Sequence, residues 1–213
     1  QADRAYAAMT QSIAAFERTD FFAPFDSKYD RHLRGEYELS EQETLGMTLF
    51  FSEQFTNCNI CHQLRELPES ANETFSNYEF HNIGVPKNNA ASQAAPVDIG
   101  LLAHPNINDV AQKGKFKTPT LRNVAVTAPY MHNGVFDELR TVIAFYNKYN
   151  SKAGQRQINP ETGERWADPE VPDNISLVEL ETGPALDDRR IDALVAFLRT
   201  LTDRRYEHLI IDP

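Results

Sequence analysis

Cysteine is almost absent from this chain. Two of 213 residues are cysteine, Cys58 and Cys61, and they stand three positions apart. A zinc site would need two more soft or imidazole ligands at suitable spacing, and no second cysteine pair supplies them. A two-cysteine redox pair of the thioredoxin kind needs a βαβ context, and strand-type alternation is nearly missing. No apolar run approaches the roughly 20 residues that span a bilayer, so the chain is not membrane-spanning. Basic residues are also in deficit, with 21 against 31 acidic ones and a formal charge of −10. Without a basic stripe to release counterions, nucleic acid is excluded as a partner. The acidic surplus suits solubility and could steer a basic redox partner.

What is present is concentrated in Cys58-Asn59-Ile60-Cys61-His62. This is the C-x-x-C-H spacing of a c-type haem attachment site. Two thiols on one short turn can each form a thioether to one vinyl group of the same porphyrin. The following imidazole then lies under the ring and binds the iron. Such haem is attached outside the cytoplasm, which predicts a periplasmic or otherwise exported protein. Gln1 opens directly into a polar amphipathic segment, so the chain is read as processed, or as a piece of a larger protein.

The expected architecture is mainly α: one cytochrome c-like helical domain around a single covalent haem, with long loop excursions. Residues 1–39 hold an N-terminal helix and loop, 40–149 the haem-binding core, 150–186 an excursion, and 187–202 a C-terminal helix. Tyr6, Met9, Ile13 and Phe16 share one helical face between Ala2 and Arg18. Phe21, Phe22, Pro24 and Phe25 follow in a loop expected to pack on the core. Ser40 and Glu43 form a capping box that starts a helix at Glu41. From Leu64 to Lys115 the chain reads as loop with short helical turns. Asp137 is the expected cap of a helix running to about Tyr149, with Leu139, Val142, Ile143 and Tyr146 inward. Asp187 or Asp188 caps the last helix, whose stripe is Ile191, Leu194, Val195, Leu198 and Leu201.

An electron-transfer haem needs a second axial ligand. Of three methionines, Met9 and Met47 sit on predicted helices, where core packing is the ordinary role. Met131 lies in Ala128-Pro129-Tyr130-Met131-His132-Asn133-Gly134, a loop with a proline shortly before it. His132 is adjacent and is a rival for the same position.

Several motifs occur in a fixed order. They are Leu45-Gly46 through Phe50-Phe51, Cys58 to His62, Phe80-His81-Asn82-Ile83-Gly84, Phe116 to Val124, Thr127 to Gly134, and the ending from Leu186 to Thr202. Together they resemble the C-terminal half of the bacterial di-haem cytochrome c peroxidases and the related methylamine-dehydrogenase-maturing di-haem enzymes. The resemblance implies that His62 and Met131 are the proximal and distal ligands of a high-potential, electron-accepting haem. A tyrosine holds the distal position in the maturation branch, so Met131 points toward the peroxidases. Arg122, in the Thr-Leu-Arg-Asn run, is the candidate partner of a haem propionate, since a guanidinium matches a carboxylate bidentately. The family also holds a calcium ion between its domains, partly through backbone carbonyls. Here that stretch reads Ala111-Gln112-Lys113-Gly114, without the expected threonine and proline.

The family's N-terminal domain carries its own C-x-x-C-H motif and the haem that meets peroxide, and no second such motif occurs here. The expected function is therefore the electron-entry domain or subunit of a periplasmic di-haem peroxidase. A small cytochrome c or copper protein would be its donor, and no catalytic residue is expected in this chain. The alternatives are a stand-alone one-haem electron carrier and a maturation-type oxidase. An interface for the missing domain is expected between Leu64 and Lys115, around Phe75, Tyr78, Phe80 and His81.

Overall fold

A computed structural model describes residues 1–63, 73–91 and 96–211. The elements are mainly helical: α1 (Ala2–Glu17), α2 (Lys28–Leu33), α3 (Glu41–Phe50), α4 (Leu139–Asn147), α5 (Leu177–Leu180) and α6 (Asp188–Arg199). Among the described residues between α3 and α4 the chain is irregular, with single 3₁₀ turns and one two-residue antiparallel ladder. It pairs β1 (Phe80–His81) with β2 (Phe116–Lys117), Phe80 opposite Lys117 and His81 opposite Phe116. The expected loop stretches 64–72 and 92–95 lie outside the described residues.

Helix α3 begins where Ser40 and Glu43 cap each other. Ser40 N–H donates to Glu43 Oε2 at 2.8 Å, and Glu43 N–H donates to Ser40 Oγ at 3.2 Å. Helix α6 begins at Asp187, whose carboxylate accepts from Arg190 N–H. The two helices cross with backbones in contact at Gly46, where a Cβ would stand 1.9 Å from the carbonyl oxygen of Ala193. Only glycine permits that approach. Below the crossing, Ile191, Leu194, Phe197, Leu198 and Leu201 are buried with Phe50, Phe75 and Tyr29. Val195 of the expected stripe is only partly buried, and Phe197 takes its place at the centre of the core. Phe197 lies 5.2–6.5 Å from the rings of Tyr29, Phe50, Phe51 and Phe75.

Helix α4 packs on α6 and differs from expectation at its start. Its first residue is Leu139, and Asp137 does not cap it with its side chain. The cap comes from the 150–186 excursion instead, where the Glu161 carboxylate accepts from the N–H groups of Asp137 and Glu138. Trp166, from the same excursion, packs edge-on against Phe136 and Phe145.

The amino-terminal segment departs further. Helix α1 buries no residue, and Tyr6, Met9, Ile13 and Phe16 are 49–66% exposed. Phe21 and Phe22 are exposed too; they gather around Phe16 at 5.0–6.1 Å rather than on the core. Phe25 alone of that aromatic run turns inward, facing the Arg122 guanidinium at 4.7 Å. Helix α2 was not anticipated; Ser27 and Asp30 form the capping box that starts it.

Candidate haem site

Asn57 adopts a left-handed conformation (φ 51°) that turns the chain out of α3 into the short turn Cys58–Ile60. The turn closes when His62 N–H donates to the Cys58 carbonyl at 2.9 Å, and Asn77 N–H then donates to the Cys61 carbonyl at 2.8 Å. Cys58, Cys61 and His62 thus share one wall of a cavity of about 470 Å³, within the range of cofactor-sized pockets. Apolar side chains make most of the lining, among them Ile83, Leu121, Val142, Ile143, Leu194 and Leu198.

The His62 ring is oriented from behind. Its Nδ1–H donates to the carbonyl oxygen of Phe75 at 2.8 Å. A carbonyl can only accept, so the proton is on Nδ1 and Nε2 keeps a free lone pair. Burial pushes the imidazole pKa down to about 4, against the opposing effect of that hydrogen bond. Burial also raises the Cys58 thiol and takes Cys61 up to about 11. A neutral imidazole ligand beside two closely spaced thiols fits haem c: two thioether positions, one iron ligand, and an apolar slot beside them.

Met131 lines the same cavity. It occupies a left-handed position (φ 70°) in a tight turn closed by Tyr130 N–H donating to Phe136 O at 2.7 Å. His132 is on the wall too, stacked flat on Phe116 with centroids 3.5 Å apart.

Sequence reasoning placed Tyr146 on the inner face of α4 without giving it a role. Its phenol lines the cavity within electrostatic range of both cysteine sulfurs, and burial raises its pKa strongly. It makes no hydrogen bond among the described residues. A phenol in an otherwise aliphatic stripe was the available signal, because a buried tyrosine hydroxyl ordinarily has a partner.

Arg122 does not reach the cavity. Its guanidinium grips Asp30 bidentately, Nη1 to Oδ2 at 2.6 Å and Nη2 to Oδ1 at 2.9 Å, while Nε donates to the Glu73 carbonyl. The pair ties α2 to the loop ahead of α4, and the propionate role expected of Arg122 is corrected accordingly. In the stretch expected to bear calcium, Lys113 Nζ pairs with Asp173 at 2.8 Å. No cluster of three His, Cys, Asp or Glu suited to a metal occurs among the described residues.

The helical fold and this cavity define a c-type haem protein in which helices and long loops enclose the attachment turn. No family model matches the chain. It is 54% identical over 213 residues to the methylamine utilization protein MauG of Paracoccus denitrificans, covering 98% of this chain and 54% of that protein. It is 32% identical over 157 residues to the cytochrome-c peroxidase IdrP1 of Pseudomonas sp. (strain SCT), covering 65% of this chain and 40% of that protein. Among solved structures, the diheme peroxidase BthA from Burkholderia thailandensis superposes with a TM-score of 0.79 at 32% identity, over 99% of this chain and 54% of that one. The chain belongs to the family of MauG and the bacterial di-haem cytochrome c peroxidases. It spans about half the length of the relatives it matches. Among the described residues, no helix is long and apolar enough to cross a membrane.

Proposed function

We propose that this chain is the haem c-bearing, electron-relaying half of a periplasmic di-haem oxidoreductase driven by hydrogen peroxide. The carrying observation is the cavity that has Cys58, Cys61 and His62 on one wall and also takes in Tyr146 and Met131. Cys58 and Cys61 would tether the porphyrin, and His62, whose Nε2 lone pair is free, would hold the iron. The bound haem supplies one-electron chemistry. With a second side chain of this cavity also holding the iron, peroxide would find no open site here, and its reduction would fall to a second haem in the other half.

Met131, His132 and Tyr146 all line the cavity; His132 is held flat on Phe116, and of the other two the unpartnered phenol of Tyr146 is the better-supported second ligand. A thioether would lose nothing when haem fills the cavity, whereas a phenol without a hydrogen-bond partner would be costly there until something binds its oxygen. The 54% identity to MauG, against 32% to a cytochrome-c peroxidase, points the same way. On this reading the electrons come from a protein substrate, as in a maturation-type enzyme. The peroxidase reading, with a small cytochrome c or copper protein as donor, is the alternative that a Met131 ligand would favour.

The other half would seat on α1, whose apolar face stays exposed among the described residues. Of the interface expected around Phe75, Tyr78, Phe80 and His81, Phe75 is fully buried in the core while Phe80 remains exposed. Peroxide turnover tests the division of labour. The chain with its haem attached should turn over peroxide only when joined to a second, haem-bearing half. Robust turnover by the one-haem chain alone would overturn the proposal.

A further inference from the structure

We propose that His81 binds a haem propionate through Nε2, and so fixes the tilt of the ring and tunes its potential. The inference rests on the reading that haem c fills the cavity. Strand β1 alternates, with Phe80 exposed at the surface and His81 turned to the cavity wall. Pairing of His81 with Phe116 of β2 holds that register. Nε2 of His81 is buried and has no hydrogen-bond partner among the described residues. The nearest carboxylate oxygen, Glu79 Oε2, is 3.8 Å away, outside hydrogen-bond range, on a side chain that is 71% exposed.

A buried ring nitrogen left without a partner is unusual, and each such group calls for an explanation. Haem brings two carboxylates, which need donors once they leave water. Arg122 cannot serve, since Asp30 occupies its guanidinium. Lys117 stands opposite Phe80 on the exposed face of the ladder, with its ammonium 4.8 Å from the Tyr78 ring centroid. The ladder therefore leaves the His81 ring nitrogen as its polar group on the cavity side. An N–H donated to a propionate offsets its negative charge, and that charge otherwise stabilises ferric iron. Loss of the donor should lower the midpoint potential.

The test compares wild-type holoprotein with His81→Leu and His81→Gln by redox titration and by resonance Raman of the propionate-bending mode. The Leu variant should lower the potential and shift the Raman mode, and Gln, which keeps an N–H donor, should restore most of both. Haem-loaded variants with an unchanged propionate mode overturn the assignment, even if the potential drifts. If neither variant retains haem, a structure of the wild-type holoprotein decides. Nε2 within ~3.2 Å of a propionate oxygen supports the assignment, and a longer separation overturns it. A wild-type chain with no covalent haem would fail the underlying reading instead, and a haem count on the same sample separates the two failures.

Discussion

Nδ1 of His62 lies 2.8 Å from the carbonyl oxygen of Phe75, a fully buried residue held at φ 55°. The two stand thirteen positions apart in the chain, yet their contact decides which nitrogen of the imidazole faces the cavity. Such hydrogen bonds behind a metal-binding histidine fix its tautomer and raise its basicity. The core therefore aims the ligand: Phe75 is packed by Tyr29, Phe50 and Phe197, and its carbonyl is the fixed end of the bond.

The first prediction separates the candidate axial ligands. If Tyr146 supplies the oxygen ligand, Tyr146→Phe should alter the optical and magnetic spectra of the oxidised protein, while Met131→Leu leaves them nearly unchanged. The converse pattern, with loss of a near-infrared sulfur-to-iron charge-transfer band in Met131→Leu, would return the ligand to Met131 and favour the peroxidase reading. Ligand exchange should move the midpoint potential by a sizeable part of the ~0.8 V that axial ligands command.

The second concerns Asp30 and Arg122, whose side chains are only 9% and 11% exposed. Burial alone would raise the Asp30 pKa; the hydrogen bonds and charge of Arg122, helped by Ser27, outweigh it and hold the carboxyl below its ordinary value. A group depressed in the folded state contributes stability that is fully present above its unfolded pKa, near 3.9. That contribution falls away as pH drops through the lower folded value. Asp30→Asn should therefore destabilise the protein at pH 7 by about 3–5 kcal/mol, the range for breaking a buried pair. The gap from wild type should narrow in acid, as denaturant titrations at pH 7 and pH 3 would show.

Those two residues also mark the limit of the sequence. The attachment motif, the Ser40–Glu43 box and the Asp187 cap were legible because their partners lie within a few positions of each other. The Arg122–Asp30 pair joins residues 92 apart, and nothing local distinguishes it from an arginine facing a propionate. The α4 cap failed for the same reason, since Glu161 reaches back from the excursion. In α1 the amphipathic pattern was correct, but periodicity reveals an apolar face without revealing what covers it. Tyr146 was legible as an inward residue; its unpaired hydroxyl emerged only with the cavity.

At the α3–α6 crossing, Gly46→Ala should cost at least the ~1–3 kcal/mol typical of overpacking, because the new methyl would meet backbone rather than a movable side chain. Thermal unfolding checks this. A melting temperature equal to wild type would show that the crossing can open without penalty.

For α1, the absence of buried residues predicts that Ile13→Glu and Phe16→Glu leave the stability of this chain within about 0.5 kcal/mol, as at an ordinary surface site. The same substitutions should weaken association with the other half, measured by calorimetry or co-purification. Unchanged association would remove α1 from the interface.

The most direct test of the account is covalent haem on this chain, matured by a c-type attachment system and read by intact mass and the pyridine haemochrome spectrum. The account predicts one haem per chain, lost in Cys58→Ala/Cys61→Ala, and a changed iron coordination spectrum in His62→Gly. A chain that folds without covalent haem, or a His62→Gly variant whose coordination is unaltered, would contradict it.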